Sequence, residues 1–171
     1  MAQVDSSERI VLIISPNSGL FYCQNLGESM QKNDLAVQEA LTWLGTPYHH
    51  QGRVKGVGVD CGTLICEVYE KVGLMDHLDP RPYPPDWHMH QMGERYLEHI
   101  RSVCFEVDGP PEPGDIVLYK IGKCVSHGAI VVEWPTIIHS YIHLGVILQD
   151  GTKGSLARRI AGFFRMKRLK K

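Results

Sequence analysis

The order of its elements predicts an α+β fold for this chain, with N-terminal helices packed on a C-terminal antiparallel β-sheet. Helical spacing comes first, at 35–44, 61–72 and about 87–101. Five strand patterns then follow the turn Pro110-Pro111-Glu112-Pro113-Gly114-Asp115, at 115–121, 127–134, 136–142, 144–149 and 162–168. With 171 residues there is enough chain for one real core.

Residues 1–32 have mixed character and read as an N-terminal extension, with one short strand at 10–14 and a turn at Pro16-Asn17-Ser18-Gly19. Residues 33–171 read as a single domain. Asn33-Asp34 predicts a helix N-cap, and Leu35, Ala36, Val37, Ala40, Leu41 and Leu44 recur at helical spacing before Gly45 stops the helix. Thr46-Pro47-Tyr48 leaves it extended. The second helix ends at Gly73 and buries Leu64, Ile65, Val68 and Val72. Four prolines between Asp79 and Asp86 exclude regular structure there and predict an ordered surface loop.

Net charge is −1, which gives no global drive toward nucleic acid or an anionic membrane. The basic tail from Arg165 to Lys171 reads as a solvated chain end. Five cysteines without paired spacing (Cys23, Cys61, Cys66, Cys104, Cys124) argue against a disulfide framework and for a reducing compartment. No stretch approaches the ~20 apolar residues of a membrane span. The apolar run at 10–14 is too short for a signal-peptide core and follows acidic Asp5 and Glu8. Synthesis in the cytoplasm without a signal peptide is the expectation.

The chemistry concentrates in Gly58-Val59-Asp60-Cys61-Gly62-Thr63, where a loop of small residues delivers one cysteine to a helix start. A helix N-terminus carries partial positive charge and free N–H groups, which favour a thiolate. Ser126-His127-Gly128 opens an apolar strand, and Ile137-Ile138-His139-Ser140 follows. A nucleophile first and two histidines later is the order of a cysteine hydrolase on a papain-like scaffold. His143 is the second candidate for the third position. Cys66, one turn beyond Cys61, reads as core, as do Cys23, Cys104 and Cys124. His49-His50 and His88-Met89-His90 lack zinc-ligand spacing and read as loop and rim residues; no metal and no cofactor is predicted. Trp87 and Trp134 read as core or loop anchors.

These motifs resemble the NlpC-type cysteine peptidases, papain-like enzymes that cut peptidoglycan stem peptides, and in particular the short branch found in phage tails and gene-transfer particles. The resemblance rests on Gly45-Thr46-Pro47-Tyr48, Asp60-Cys61, Tyr83-Pro84-Pro85-Asp86-Trp87, Pro113-Gly114-Asp115, Ser126-His127-Gly128 and Ile138-His139-Ser140-Tyr141. It spans about residues 33–170. It implies Cys61 as nucleophile, His127 as general base and His139 as the residue that orients it. Tyr48 is implied beside the cysteine as an oxyanion aid, with Asp60 just ahead of the nucleophile. The family often reads Asp-Cys-Ser-Gly, with the serine on substrate; here Gly62-Thr63 follows, so the peptide preference does not transfer. The implied partners are a peptidoglycan stem peptide and phage-tail proteins, with no nucleic acid and no membrane. A catalytically inactive structural tail component is the alternative. A lipid acyltransferase on the same scaffold would need a long apolar groove or a membrane-seeking segment, and the sequence shows neither.

Overall fold

A computed structural model describes residues 32–85 and 94–167, and the strands 11–14 and 21–24 as backbone. Packing divides the chain into Met1–Gln31 and Lys32–Lys171. In the first unit β1 (Val11–Ile14) pairs antiparallel with β2 (Phe21–Gln24), in register from Val11 on Gln24 to Ile14 on Phe21. The sequence predicts the first of these strands and misses the second; the turn at 16–19 lies outside the described residues.

The second unit begins with α1 (Lys32–Leu41). It starts earlier than the Asn33-Asp34 cap predicts, so both residues fall in its first turn. It also ends earlier. Thr42, Trp43 and Leu44 donate to Glu39, Ala40 and Leu41, three residues back, so the last turn tightens before Gly45 turns the chain at φ +80°. Two short strands, β3 (Arg53–Val54) and β4 (Gly58–Val59), form a ribbon ahead of α2 (Cys61–Lys71). α2 buries Thr63, Leu64, Ile65, Cys66, Val68 and Tyr69. Val72, predicted on that face, packs half-buried against the same core from the C-cap position. α3 (Arg95–Val103) runs two residues past the expected end and feeds directly into β5 (Cys104–Glu106), an edge strand the sequence does not reveal. The start predicted at 87 lies outside the described residues.

The remaining strands are β6 (Ile116–Ile121), β7 (Cys124–Glu133), β8 (Thr136–Tyr141), β9 (Gly145–Asp150) and β10 (Ile160–Met166). With β5 they make one antiparallel sheet in the order β5-β10-β6-β7-β8-β9. The expected α+β architecture is therefore present. Strand alternation gives the sheet two faces. Ile116, Leu118, Ile130, Ile138, Val146 and Phe164 share one core with Ala36, Ala40, Leu64, Ile65 and Val68 of the helices. Val117, Tyr119, Ala129, Val131 and Ile137 form a second cluster with Leu156.

Pro113-Gly114-Asp115 fixes the sheet to both its neighbours. Gly114, at φ +79°, leaves room that a Cβ would take only 2.7 Å from the Asn33 carbonyl oxygen. Asp115 is fully buried and accepts two bonds from the Arg165 guanidinium, at 2.7 and 2.9 Å, and one from Glu112 N–H. The bidentate pair joins the start of β6 to β10 and holds the Arg165 pKa above its ordinary value. Among the described residues no helix is long and apolar enough to cross a membrane.

Candidate active site

Asp60 builds the start of α2. It sits extended as the N-cap, and its carboxylate accepts from Thr63 N–H at 3.0 Å while Asp60 N–H donates to the Thr63 hydroxyl at 3.1 Å. This capping box satisfies donors the first turn would otherwise strand. The other carboxylate oxygen accepts from Gln51 N–H at 2.8 Å and from the Tyr83 hydroxyl at 2.6 Å. Asp60 is almost wholly buried, and at least three donors hold it in place. It anchors the helix, the 49–52 loop and the proline-rich segment at once.

Cys61, the first residue of α2, is half-buried, with its sulfur 4.0 Å from the Ser126 carbonyl oxygen. The helix start was expected to favour the thiolate. The structure reverses that for the free protein: burial and the neighbouring Asp60 charge push the thiol up to about 12. Backbone N–H groups of Gly128, Gly62 and Cys61 pull the other way without overcoming them. The acid that caps the helix thus offsets the helix field at the very residue it positions.

The histidines come from the sheet. His127 on β7 and His139 on β8 share a hydrogen bond of 2.7 Å between His127 Nε2 and His139 Nδ1. Their rings meet edge to face, and Tyr141 packs against both. His127 is nearly buried and His139 completely so. Burial lowers His127 to about 3, helped by the neighbouring imidazole, and lowers His139 to about 4. Both rings are neutral at pH 7. The Ser140 hydroxyl, next in chain to His139, donates to the Val59 carbonyl at 2.7 Å and ties β8 to the loop that delivers Cys61.

Cys61 and His127 line one groove of about 270 Å³. Tyr48 shares its wall, placed by the pairing of residue 48 with Val59. Burial, with the Cys61 and Asp60 charges, raises the Tyr48 phenol to about 12, so it stays a donor. All five predicted site residues therefore converge: Cys61, His127, Tyr48 and Asp60 on the groove, His139 directly behind His127. His143 does not join them; it is exposed, in the turn after β8. His50 serves the loop as expected, sharing a 2.8 Å bond with the Tyr83 carbonyl. Trp134 stacks edge-on with Phe163. Trp87, His88 and His90 lie outside the described residues. Sequence reasoning missed Tyr83, Arg95, Tyr96 and His99, which also line the groove. Tyr83 lies within a quoted motif, and its link to Asp60 spans 23 residues. Arg95, Tyr96 and His99 share one side of α3 at helical spacing, a signal the pattern of α3 carries but does not assign to a groove.

A thiol at a helix start shares its groove with one sheet-borne imidazole, backed by a second, on a papain-like fold. The NlpC/P60 family model matches residues 45–165, and the chain belongs to that family. Its members are generally cysteine peptidases that act on peptidoglycan, and some are non-catalytic. Among solved structures the chain is similar to an NlpC/P60 family protein from Bacillus cereus ATCC 10987, at 21% identity and TM-score 0.60, over 96% of this chain and 52% of that one. It is also similar to NlpC1 from Trichomonas vaginalis, at 15% identity and TM-score 0.62, over 98% and 61%. The chain thus spans between half and two thirds of these two relatives. A third, RipD from Mycobacterium tuberculosis, is described as a non-catalytic NlpC/p60 domain protein adapted to peptidoglycan binding; it shares 14% identity at TM-score 0.50, over 82% and 100%. No curated protein matches the sequence.

Proposed function

We propose that this chain is a thiol peptidase that hydrolyses the peptide stems of bacterial peptidoglycan, with Cys61 as nucleophile, His127 as base and His139 orienting His127. The observation that carries the reading is the 2.7 Å bond between His127 Nε2 and His139 Nδ1. Of the two His127 ring nitrogens it leaves Nδ1 free to serve Cys61. The resting pair is a neutral thiol and a neutral imidazole, so the proton moves from Cys61 to His127 Nδ1 as the sulfur attacks a bound peptide carbonyl. The oxyanion meets N–H groups at the helix start, with the Tyr48 hydroxyl beside them. His127 then gives its proton to the leaving amine, and water cleaves the thioester. Asp60, held by its own donors, acts by placing Cys61.

The family resemblance of the sequence supports a setting in a phage-type tail, where local wall cleavage would aid genome delivery; detection of the chain in purified particles tests that setting separately. A non-catalytic role is the second reading, since burial disfavours both charges of a thiolate–imidazolium pair. Digestion of purified peptidoglycan by wild type and Cys61→Ala, with products read by mass spectrometry, decides between them. Fragments from wild type alone support the peptidase and show the bond cut. No fragments across several wall chemistries, with retained wall binding, support the structural role.

A further inference from the structure

His139 is completely buried, and only one of its ring nitrogens is accounted for. Nδ1 meets His127, while Nε2 is buried and has no hydrogen-bond partner among the described residues. The neighbouring strand carries a side chain that can serve it. On β9, Ile147 faces His139 and Gln149 faces Ile137, so Gln149 lies diagonally from His139 on the same face of the sheet. Gln149 is the side chain whose hydrogen-bonding pull acts on the His139 imidazole, against the larger effect of burial. The amide is oriented from its far side, since Gln149 Nε2 lies 3.4 Å from the Lys153 carbonyl. A carbonyl only accepts, so the NH2 group faces Lys153, and Oε1 is the acceptor the amide can offer the histidine.

This direction propagates. With Oε1 as acceptor, His139 carries its proton on Nε2 and offers a bare Nδ1. His127 must then donate through Nε2, which leaves its own Nδ1 bare. In the reverse arrangement His139 donates through Nδ1, His127 holds its proton on Nδ1, and it cannot accept one from a thiol. We propose that Gln149 is a positioning residue whose side-chain oxygen sets the tautomer of His139 and, through it, that of His127. The proposal deepens the peptidase reading and rests on it for its catalytic meaning, but the tautomers themselves can be read without turnover.

The test uses the full chain, 15N-labelled, with long-range 1H–15N correlation of the ring nitrogens at pH 7.5. Wild type is compared with Gln149→Leu and Gln149→Met, which remove the acceptor, and with Gln149→Glu, which keeps it. Gln149 is half-buried on an edge strand, where these variants have room to fold. Wild type and Gln149→Glu should show both rings protonated on Nε2. Leu and Met should populate the Nδ1–H form of His127, with kcat on peptidoglycan down about ten- to a hundredfold and KM within about twofold. Unchanged tautomers in Leu and Met overturn the proposal, even if turnover falls. If wild type shows no turnover, the peptidase reading fails while the tautomer measurement still decides the role of Gln149.

Discussion

Cys61 is placed by its neighbours in sequence: Asp60 caps, Thr63 closes the box, and the helix they start carries the sulfur. His127 and His139 are twelve residues apart and meet only because β7 and β8 pair in register, with Ile130 on Ile138 and Val131 on Ile137. The two sides of the groove also have opposite electrostatic habits. Burial pushes the cysteine's pKa up and the histidines' pKa down, so each side resists the charge it would carry in an ion pair. The difference teaches that the nucleophile side depends on local capping and the base side on strand register, and each can be broken without touching the other.

The largest expected effect is on turnover. Cys61→Ala should abolish release of stem-peptide fragments, while His127→Ala should lower kcat/KM by about 10²–10⁴-fold. His139→Ala should cost less, and an equal loss would show the two histidines acting as one unit. The next effect is on stability. Arg165→Met strips the buried Asp115 carboxylate of its partner, and urea unfolding should show a loss of about 3–5 kcal/mol. Activity per folded molecule should stay unchanged, because neither residue lines the groove.

Proton linkage separates the two sides most directly. The folded values of His127 and His139 lie below the ordinary 6.5, so below pH 6.5 the unfolded chain binds protons the native state does not. Stability should be full above about pH 6.5 and fall as the pH drops toward 4, both histidines acting in the same direction. The raised Cys61 thiol has the opposite sign: its contribution is full below pH 9 and lost as pH rises toward 12. Thermal scans across pH should show His139→Gln flattening the acid limb alone and Cys61→Ala easing the alkaline limb alone. The smallest effect is at the junction. Asp60→Asn keeps a capping oxygen but turns an amide toward Gln51 N–H and the Tyr83 hydroxyl, and should cost about 1–3 kcal/mol by chemical denaturation.

The same contrast explains what the sequence reveals. Cys61 at a helix start was legible because a loop of small residues, a polar cap and an amphipathic run are contiguous. The strands bearing His127 and His139 were legible from their apolar patterns, and the order of motifs singled out these histidines. Gln149 was not, because its relation to His139 exists only in the β8–β9 register. β5 was hidden for a similar reason: three residues directly after a helix carry no period of their own. The depression of the histidine pKa values and the raised thiol were also beyond reach, since burial is a property of the assembled groove.

The Asp60 carboxylate also ties together stretches of chain that must vary in step. Its acceptors join position 63 on the helix, position 51 in the loop and position 83 in the proline-rich wall. A change at 83 that removes the hydroxyl frees an acceptor beside the nucleophile, and a change at 60 strands donors in three segments. Groove wall and nucleophile are therefore inherited as one block: a wall grafted from another protein would disturb the thiol unless residues 51, 60 and 63 came with it.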